Sequence, residues 1–347
     1  MTRCAILLAF ALLPAAVWAQ ADNASIRFTG RLHHDFAIVE SDQGEHQESN
    51  LRRVRFGPRI TLFRDFLVHA EVEVNPQERH PFYMRLTDAY VAWQKHPRAV
   101  VIIGKQSVPF TQEGATSSKE LLTIDRSNLA NNIWFTQEYM PGVSVNGRAA
   151  RWVYRAGIYS SGAMNREFGR FDGDYFTLGL AGYDFGTKLG VKEALLTANY
   201  VYQHPDANNT FTKRFEHVAS LHFTLDEPRW GLRGDLAKTA GYLGQSDLWA
   251  VMLMPHFNAT DKLQFVARYT LVDSAANNGV SLNAYENRVV TSRGDRYNEG
   301  YAGVNYFFHG HRLKLQSGVQ FAAMQDRADD GGAYSGASWT SGIRIAW

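Results

Sequence analysis

The residues best equipped for chemistry in this chain are arginines. The run Asn50-Leu51-Arg52-Arg53-Val54-Arg55-Phe56-Gly57-Pro58-Arg59 puts four of them in eight positions. The chain holds 27 arginines and 9 lysines, together its 36 basic residues, against 34 acids. A guanidinium offers a planar fork of donors that meets an oxyanion through two parallel N–H···O bonds. The chemistry suggested is anion recognition. A nucleic-acid patch would use the same residues, but a net charge of +2 gives little bulk attraction to a polyanion, and no nucleic-acid partner is expected.

A second set lies in the stretch 107–142. It contains Thr116-Ser117-Ser118-Lys119-Glu120 and Asp125-Arg126-Ser127, hydroxyls and cations close together. Enzymatic chemistry finds no footing: the chain has no G-x-S-x-G, H-E-x-x-H or EF-hand pattern. His33-His34 is the one adjacent histidine pair, and neighbours on a strand point to opposite faces. No metal or cofactor is expected, and the chain does not read as an enzyme.

The elements that must position these arginines repeat with period two. In 26–38, Ile26, Phe28, Leu32, Phe36 and Ile38 oppose Arg27, Arg31, His33 and Asp35. In 53–63, Val54, Phe56, Ile60 and Leu62 oppose Arg53, Arg55 and Arg59. In 66–74, Phe66, Val68, Ala70 and Val72 oppose His69, Glu71 and Glu73. A helix of period 3.6 cannot separate such sets. Segments of this kind run from 25–38 to 335–347, and the pattern predicts sixteen strands.

The connections alternate long and short, as antiparallel strands require when both termini lie on one side. Long ones are expected near 39–50, 76–84, 107–142, 160–173, 204–214, 241–246, 274–295 and 324–334. This is the rhythm of an all-β, transmembrane antiparallel β-barrel with short turns at one end and long loops at the other. Apart from residues 4–17 the chain has no long apolar run, which rules out a helical membrane protein.

Residues 1–19 combine Arg3, the apolar run 4–17 and Val17-Trp18-Ala19, and read as a secretory signal cleaved near Ala19. Residues 20–347 then form one barrel domain. Cys4, the only cysteine, falls in that leader.

An arginine on the lipid face costs about 2–4 kcal/mol at the bilayer midplane, so the arginine faces should look inward. The inferred inward cations include Arg27, Arg31, Arg53, Arg55, Arg59, Arg148, Arg151, Arg155, Arg233, Arg268, Arg312, Lys314 and Arg344. Arg52 breaks the alternation and is assigned to the rim. The long third loop, 107–142, has apolar content of its own and is expected to fold into the lumen; an external flap is the alternative.

Several of these stretches resemble one family. They are Gly30-Arg31, Arg52-Arg53-x-Arg55, Leu86-Thr87-Asp88-Ala89-Tyr90-Val91, Ile103-Gly104-Lys105-Gln106 with Pro109-Phe110, Thr116-Ser117-Ser118, and Gly142-Val143-Ser144-Val145-Asn146-Gly147. Over residues 25–150 they resemble, in order, the phosphate-selective porins O and P of Gram-negative outer membranes. The resemblance implies a sixteen-stranded homotrimeric channel in the outer membrane. In the phosphate-specific members, arginines guide the anion inward and a small lysine cluster binds it. Arg31, Arg52, Arg53, Asp88, Lys119 and Arg126 match motif positions; Arg55 and Arg59 join them from the strand pattern. Lys119 is the only lysine of the third loop, and Lys213 the only other loop lysine placed to reach inward, so a three-lysine centre does not match.

The expected function is a passive diffusion channel preferring anions, extending to phosphate or polyphosphate. The alternative is a general or sugar-permeable porin in which arginines balance acids. Expected partners are small inorganic anions, outer-membrane lipids including lipopolysaccharide, and the barrel-assembly machinery through the terminal aromatic Trp347.

Overall fold

A computed structural model of the protein describes residues 24–78, 80–133, 139–161, 175–207 and 212–347. The predicted leader, 1–19, lies outside them. Sixteen strands form one closed barrel. They are β1 (Ala24–Ser41), β2 (Gly44–Leu62), β3 (Phe66–Val74), β4 (Tyr83–His96), β5 (Ala99–Ser107), β6 (Tyr139–Ala149), β7 (Trp152–Ser160) and β8 (Tyr175–Asp184). The second half comprises β9 (Glu193–Gln203), β10 (Phe215–Asp226), β11 (Trp230–Gly241), β12 (Leu248–Asn258), β13 (Leu263–Ser274), β14 (Arg296–Phe307), β15 (Leu313–Gln325) and β16 (Tyr334–Ala346). Every strand pairs antiparallel with its neighbour in sequence, and β1 pairs with β16 to close the ring. In hydrocarbon only a closed sheet satisfies every backbone N–H and C=O.

The two faces separate as the alternation requires. On β1 and β2, Phe28 and Phe56 are 67% and 45% exposed, whereas Arg31 and Arg55 are 8% and 1% exposed. The first set meets lipid and the second faces inward. Seven connections at one end are short; those at the other are mostly long. Two expectations change. The loop expected at 39–50 is a hairpin, in which β1 and β2 continue in register to a turn at Asp42-Gln43. Arg312 lies exposed in the β14–β15 turn and not on the wall. The inner face is not polar throughout: Ala250, Met252 and Met254 of β12 and Val266 of β13 are buried on it. They share an apolar cluster with Phe110, Leu129 and Ile133 of the β5–β6 connection. That stretch of wall is dry because a loop covers it.

The barrel seam uses the chain's last residue. Gly30 and Trp347 exchange backbone hydrogen bonds, N to O at 3.1 and 3.2 Å. A Cβ on Gly30 would lie 2.3 Å from the Trp347 ring. Gly57 is tighter still, its missing Cβ falling 1.8 Å from the Ala70 carbonyl oxygen. Gly30→Val and Gly57→Val should therefore each cost about 1–3 kcal/mol. The readout is the temperature at which folded barrel converts to the unfolded band in a heat-modifiability gel, which should fall for both.

Candidate functional site

The β5–β6 connection enters the cylinder directly after Ser107. Thr111 caps a single helical turn, α1 (Gln112–Ala115), by accepting the Gly114 N–H at 3.1 Å. A second short helix, α2 (Asn128–Ile133), follows. Between and around them the segment bonds to inward-facing side chains of strand after strand. Arg31 on β1 donates to the Ser118 hydroxyl at 2.8 Å. The backbone N–H of Gln112 donates to Asp235 on β11 at 2.6 Å. Asn305 on β14 donates to the Leu122 carbonyl at 2.8 Å, and Lys314 on β15 to that of Leu121 at 2.6 Å. Arg344 on β16 reaches the Ile124 carbonyl at 3.3 Å. A segment touching the inner faces of β1, β11, β14, β15 and β16 runs through the interior.

Arg268 on β13 pins this loop. Its Nε donates to Glu299 at 2.6 Å, and its Nη1 donates to the Thr123 hydroxyl and the Asp125 carbonyl, each at 2.9 Å. The same nitrogen lies 3.3 Å from Glu113, and all three charged side chains are at most 1% exposed. Neither glutamate has water to fall back on, so removing the guanidinium leaves them uncompensated.

A second loop also enters, one that the sequence marks only as a long connection, 274–295. The β13–β14 segment buries Val280, Leu282, Tyr285 and Val290. Tyr285 donates to Asp35 on β1 at 2.8 Å. Asn283 donates to the Arg126 carbonyl at 2.9 Å, and Ser281 N–H to Asn132 at 2.8 Å. The signal was present: a loop with four large apolar residues has no reason to stay in water. Glu286 sits in this loop under Tyr297 and Gln320. Burial, and then the neighbouring Glu299 charge, push its carboxyl up to about 7.

The sequence candidates fall into separate groups. Arg31, Asp88 and Arg126 line one cavity of about 200 Å³ with Thr116, Ser117, Ser118 and Tyr139. Arg31 is also paired with Glu71 at 3.1 Å. Arg126 donates to the carbonyls of Glu113 and Thr116, at 2.8 and 3.1 Å, and so braces the loop. Arg55 bonds Glu73 at 3.0 Å and the Tyr139 hydroxyl at 2.8 Å. Arg52 is not at the rim but turned to Asp125 of the inner loop, 3.4 Å away. A bulge explains this. His33 opposes Arg53 while Asp35 opposes Asn50, so Leu51 and Arg52 together face His34 and the alternation slips by one. Burial would raise the Asp125 carboxyl, but Arg52, Arg53 and Arg344 outweigh it and hold the acid below its ordinary range.

Several inward arginines thus have acids: Arg31 with Glu71, Arg55 with Glu73, Arg52 with Asp125, Arg268 with Glu113 and Glu299, Arg344 with Asp35. The sequence reading missed this because cross-strand partners depend on register. Among the described residues, Arg27, Arg59 and Lys119 have no carboxylate within 4.0 Å. Arg27 and Arg59 stand directly opposite each other in the β1–β2 register and are both exposed to the lumen. Half-buried Lys119 lies within the field of Arg59. Burial, Arg31 and Arg59 all lower its proton affinity, against the opposing pull of Glu71. Lys213, the other lysine placed to reach inward, donates to the Asn131 carbonyl at 2.7 Å and so holds α2; its burial lowers it to about 7.

The family profile of the phosphate-selective porins O and P matches residues 26–251. Among solved structures, an anion-selective porin from Comamonas acidovorans aligns with 14% identity and a TM-score of 0.65, over 93% of this chain and 100% of that one. A loop L8 deletion mutant of OmpT, an outer membrane protein of Vibrio cholerae, aligns with 15% identity and a TM-score of 0.61, over 94% and 100%. The outer membrane channel DcaP of Acinetobacter baumannii gives 13% identity and a TM-score of 0.58, over 94% and 98%. At these identities the likeness is one of fold. A search of curated proteins finds no match.

Two outcomes follow from the loop anchors. Arg268→Met should cost about 3–5 kcal/mol by stranding two buried carboxylates, and single-channel recordings should show a larger, noisier conductance as the loop loosens. The Glu286 seat favours the protonated carboxyl. Its contribution is complete below the ordinary carboxyl range and is lost as pH rises through about 7. Current noise from the β13–β14 loop should increase between pH 6 and pH 8, and Glu286→Gln should flatten that dependence.

Proposed function

The chain belongs to the phosphate-selective porin O and P family, and from that premise we propose that this outer-membrane porin is a passive diffusion channel preferring anions, phosphate or polyphosphate among them. The observation that carries the preference is the uncompensated group Arg27, Arg59 and Lys119. Like charges directly opposite on neighbouring strands repel. An anion passing between them relieves that repulsion, whereas a cation adds to it. The cavity with Arg31, Thr116, Ser117 and Ser118 offers guanidinium and hydroxyl donors to an oxyanion that has shed part of its water. Asp88 and Glu71 at the same place weaken the hold. That is useful in a pore, where an ion bound too well does not leave.

Arg52, Arg53 and Arg55 then act chiefly by setting the field of the inner wall, since acids or the inner loop occupy their surroundings. The apolar wall at Ala250, Met252, Met254 and Val266 gives ions nothing to bind, and Arg268 beside it is taken up by Glu113 and Glu299, so transit follows the β1–β3 side. The assembly is a homotrimer, inserted with Trp347 as the signal read by the barrel-assembly machinery. The reading as a general or sugar-permeable porin draws on the same ion pairs, because several inward arginines do balance acids.

Reversal potentials of the purified channel in a potassium chloride gradient decide between them. The expected result is an anion-selective potential, converted to a cation-selective one by Arg27→Glu with Arg59→Glu. Phosphate should block chloride current at millimolar concentration, and Arg31→Ala should weaken that block by about tenfold, the loss of one charge-assisted contact of ~1.5 kcal/mol. Cation preference in the unaltered channel, with ready swelling of liposomes in neutral sugars, would overturn the proposal.

A further inference from the structure

The lipid-facing side of the barrel carries a cationic shelf that the pore does not use. It lies at the end with the long connections. Register aligns Lys238 of β11 with Trp249 of β12, Trp249 with Asp273 of β13, Asp273 with Arg296 of β14, and Arg296 with Gln325 of β15. Arg327, two residues beyond Gln325, joins the row. Lys238, Arg296 and Arg327 are all exposed, and Asp273 is the one acid among them. Trp249 donates to Asp273 at 3.0 Å. Arg296 and Arg327 each stand 3.9 Å from the same carboxylate, too far for a hydrogen bond, so their forks stay open. The neighbouring loop acids are engaged elsewhere: Asp326 accepts the backbone N–H groups of Ala328, Asp330, Gly331 and Gly332, and Asp330 accepts from Asn278.

Directly toward the membrane centre the same face opens into a groove of about 710 Å³. Tyr269 and Phe321, 47% and 65% exposed, flank it. Gly300 and Ala323 form its floor, and a Cβ on Gly300 would meet nothing within 4 Å. Gly300 is four residues along β14 from Arg296, roughly 13 Å. Glu40 and Asp42 close the far side, three strands from Arg296 or about 14 Å across the sheet, which leaves the anion-attracting end beside the arginines.

An open guanidinium pair above an apolar trough, aligned along the strands, matches an amphiphile with an anionic head and an alkyl tail. Trp249 and Tyr269 mark this level as the aromatic belt, where lipid headgroups begin. We propose that the shelf and groove seat a phosphorylated glycolipid of the outer leaflet, of the lipid A class. Its phosphate engages Arg296 and Arg327, and one acyl chain lies over Gly300 and Ala323. This rests on the reading of the chain as an outer-membrane porin, but not on its ion preference.

The test is native mass spectrometry of the full-length protein extracted from outer membranes in mild detergent, followed by titration of the delipidated protein with lipid A and with dephosphorylated lipid A. Arg296→Ala with Arg327→Ala removes the head site, and Gly300→Leu fills the trough. The expected result is co-purifying phosphorylated lipid on the unaltered protein, at least a fivefold loss in either variant, and binding that requires the phosphate. Equal retention in all three proteins, or binding indifferent to dephosphorylation, would overturn the assignment. So would the absence of lipid together with a change of oligomeric state in Gly300→Leu, which would make the groove a contact between copies. Reversal potentials of the same variants should match the unaltered channel; a failure of the anion-channel reading would show there, in the unaltered protein, and not in the lipid measurement.

Discussion

Backbone amides in hydrocarbon have no water to bond, and that constraint shapes everything else in this molecule. It forces the sheet to close, and closure gives every strand one face toward lipid and one toward the interior. Arginine is costly on the first face and useful on the second. The seam where β1 meets β16 therefore links barrel closure to the interior. Gly30 admits the Trp347 ring at that seam, and Arg31, the next residue, points inward to Ser118.

The interior is not an open tube with charged walls. Among the described residues, two loops enter it from the same end and bond to each other through Asn283 and Arg126, and through Ser281 and Asn132. Holding a loop inside a pore needs fixed anchors, and the chain supplies them as buried ion pairs around Arg268, Arg344 and Arg31. Arginine thus has two uses here. Some side chains are matched with acids and position the loops. Others, Arg27 on β1 and Arg59 on β2 among them, have no carboxylate within reach, and neither has Lys119 of the inner loop. In the proposed channel, selectivity would follow from the difference between the two sets, so a near-neutral net charge does not argue against an anion preference.

Strand number, barrel closure and the facing of β1 to β3 were legible in the sequence, because a period-two pattern carries them residue by residue. The role of Arg52 was not. The alternation fails at that residue, and only the pairing of Asp35 with Asn50 shows that a bulge turns it inward. The continuation of β1 and β2 through 39–50 was hidden because charged and polar residues there look like a loop, although their backbones pair in register. Acid partners were hidden for a third reason. Glu73 meets Arg55 across a strand pair, and Glu113 meets Arg268 across 155 positions of chain. No spacing in a linear sequence announces contacts of that kind. The β13–β14 loop was the one feature whose signal, buried apolar residues in a long connection, was available and unused.

The proposed anion preference requires Arg27, Arg59 and Lys119 to face water inside a sealed cylinder while Phe28 and Phe56 face lipid. Cys4 is the only native cysteine, so single cysteines introduced elsewhere report cleanly. The most direct measurement is the current through bilayer-inserted Arg27→Cys, Arg59→Cys, Lys119→Cys, Phe28→Cys and Phe56→Cys channels, before and after an anionic water-soluble thiol reagent. The expected result under the proposed anion preference is that modification lowers the anion current at the first three positions and leaves it unchanged at the two phenylalanine positions. A current altered at Phe28 and Phe56 but not at Arg27, Arg59 and Lys119 would contradict it.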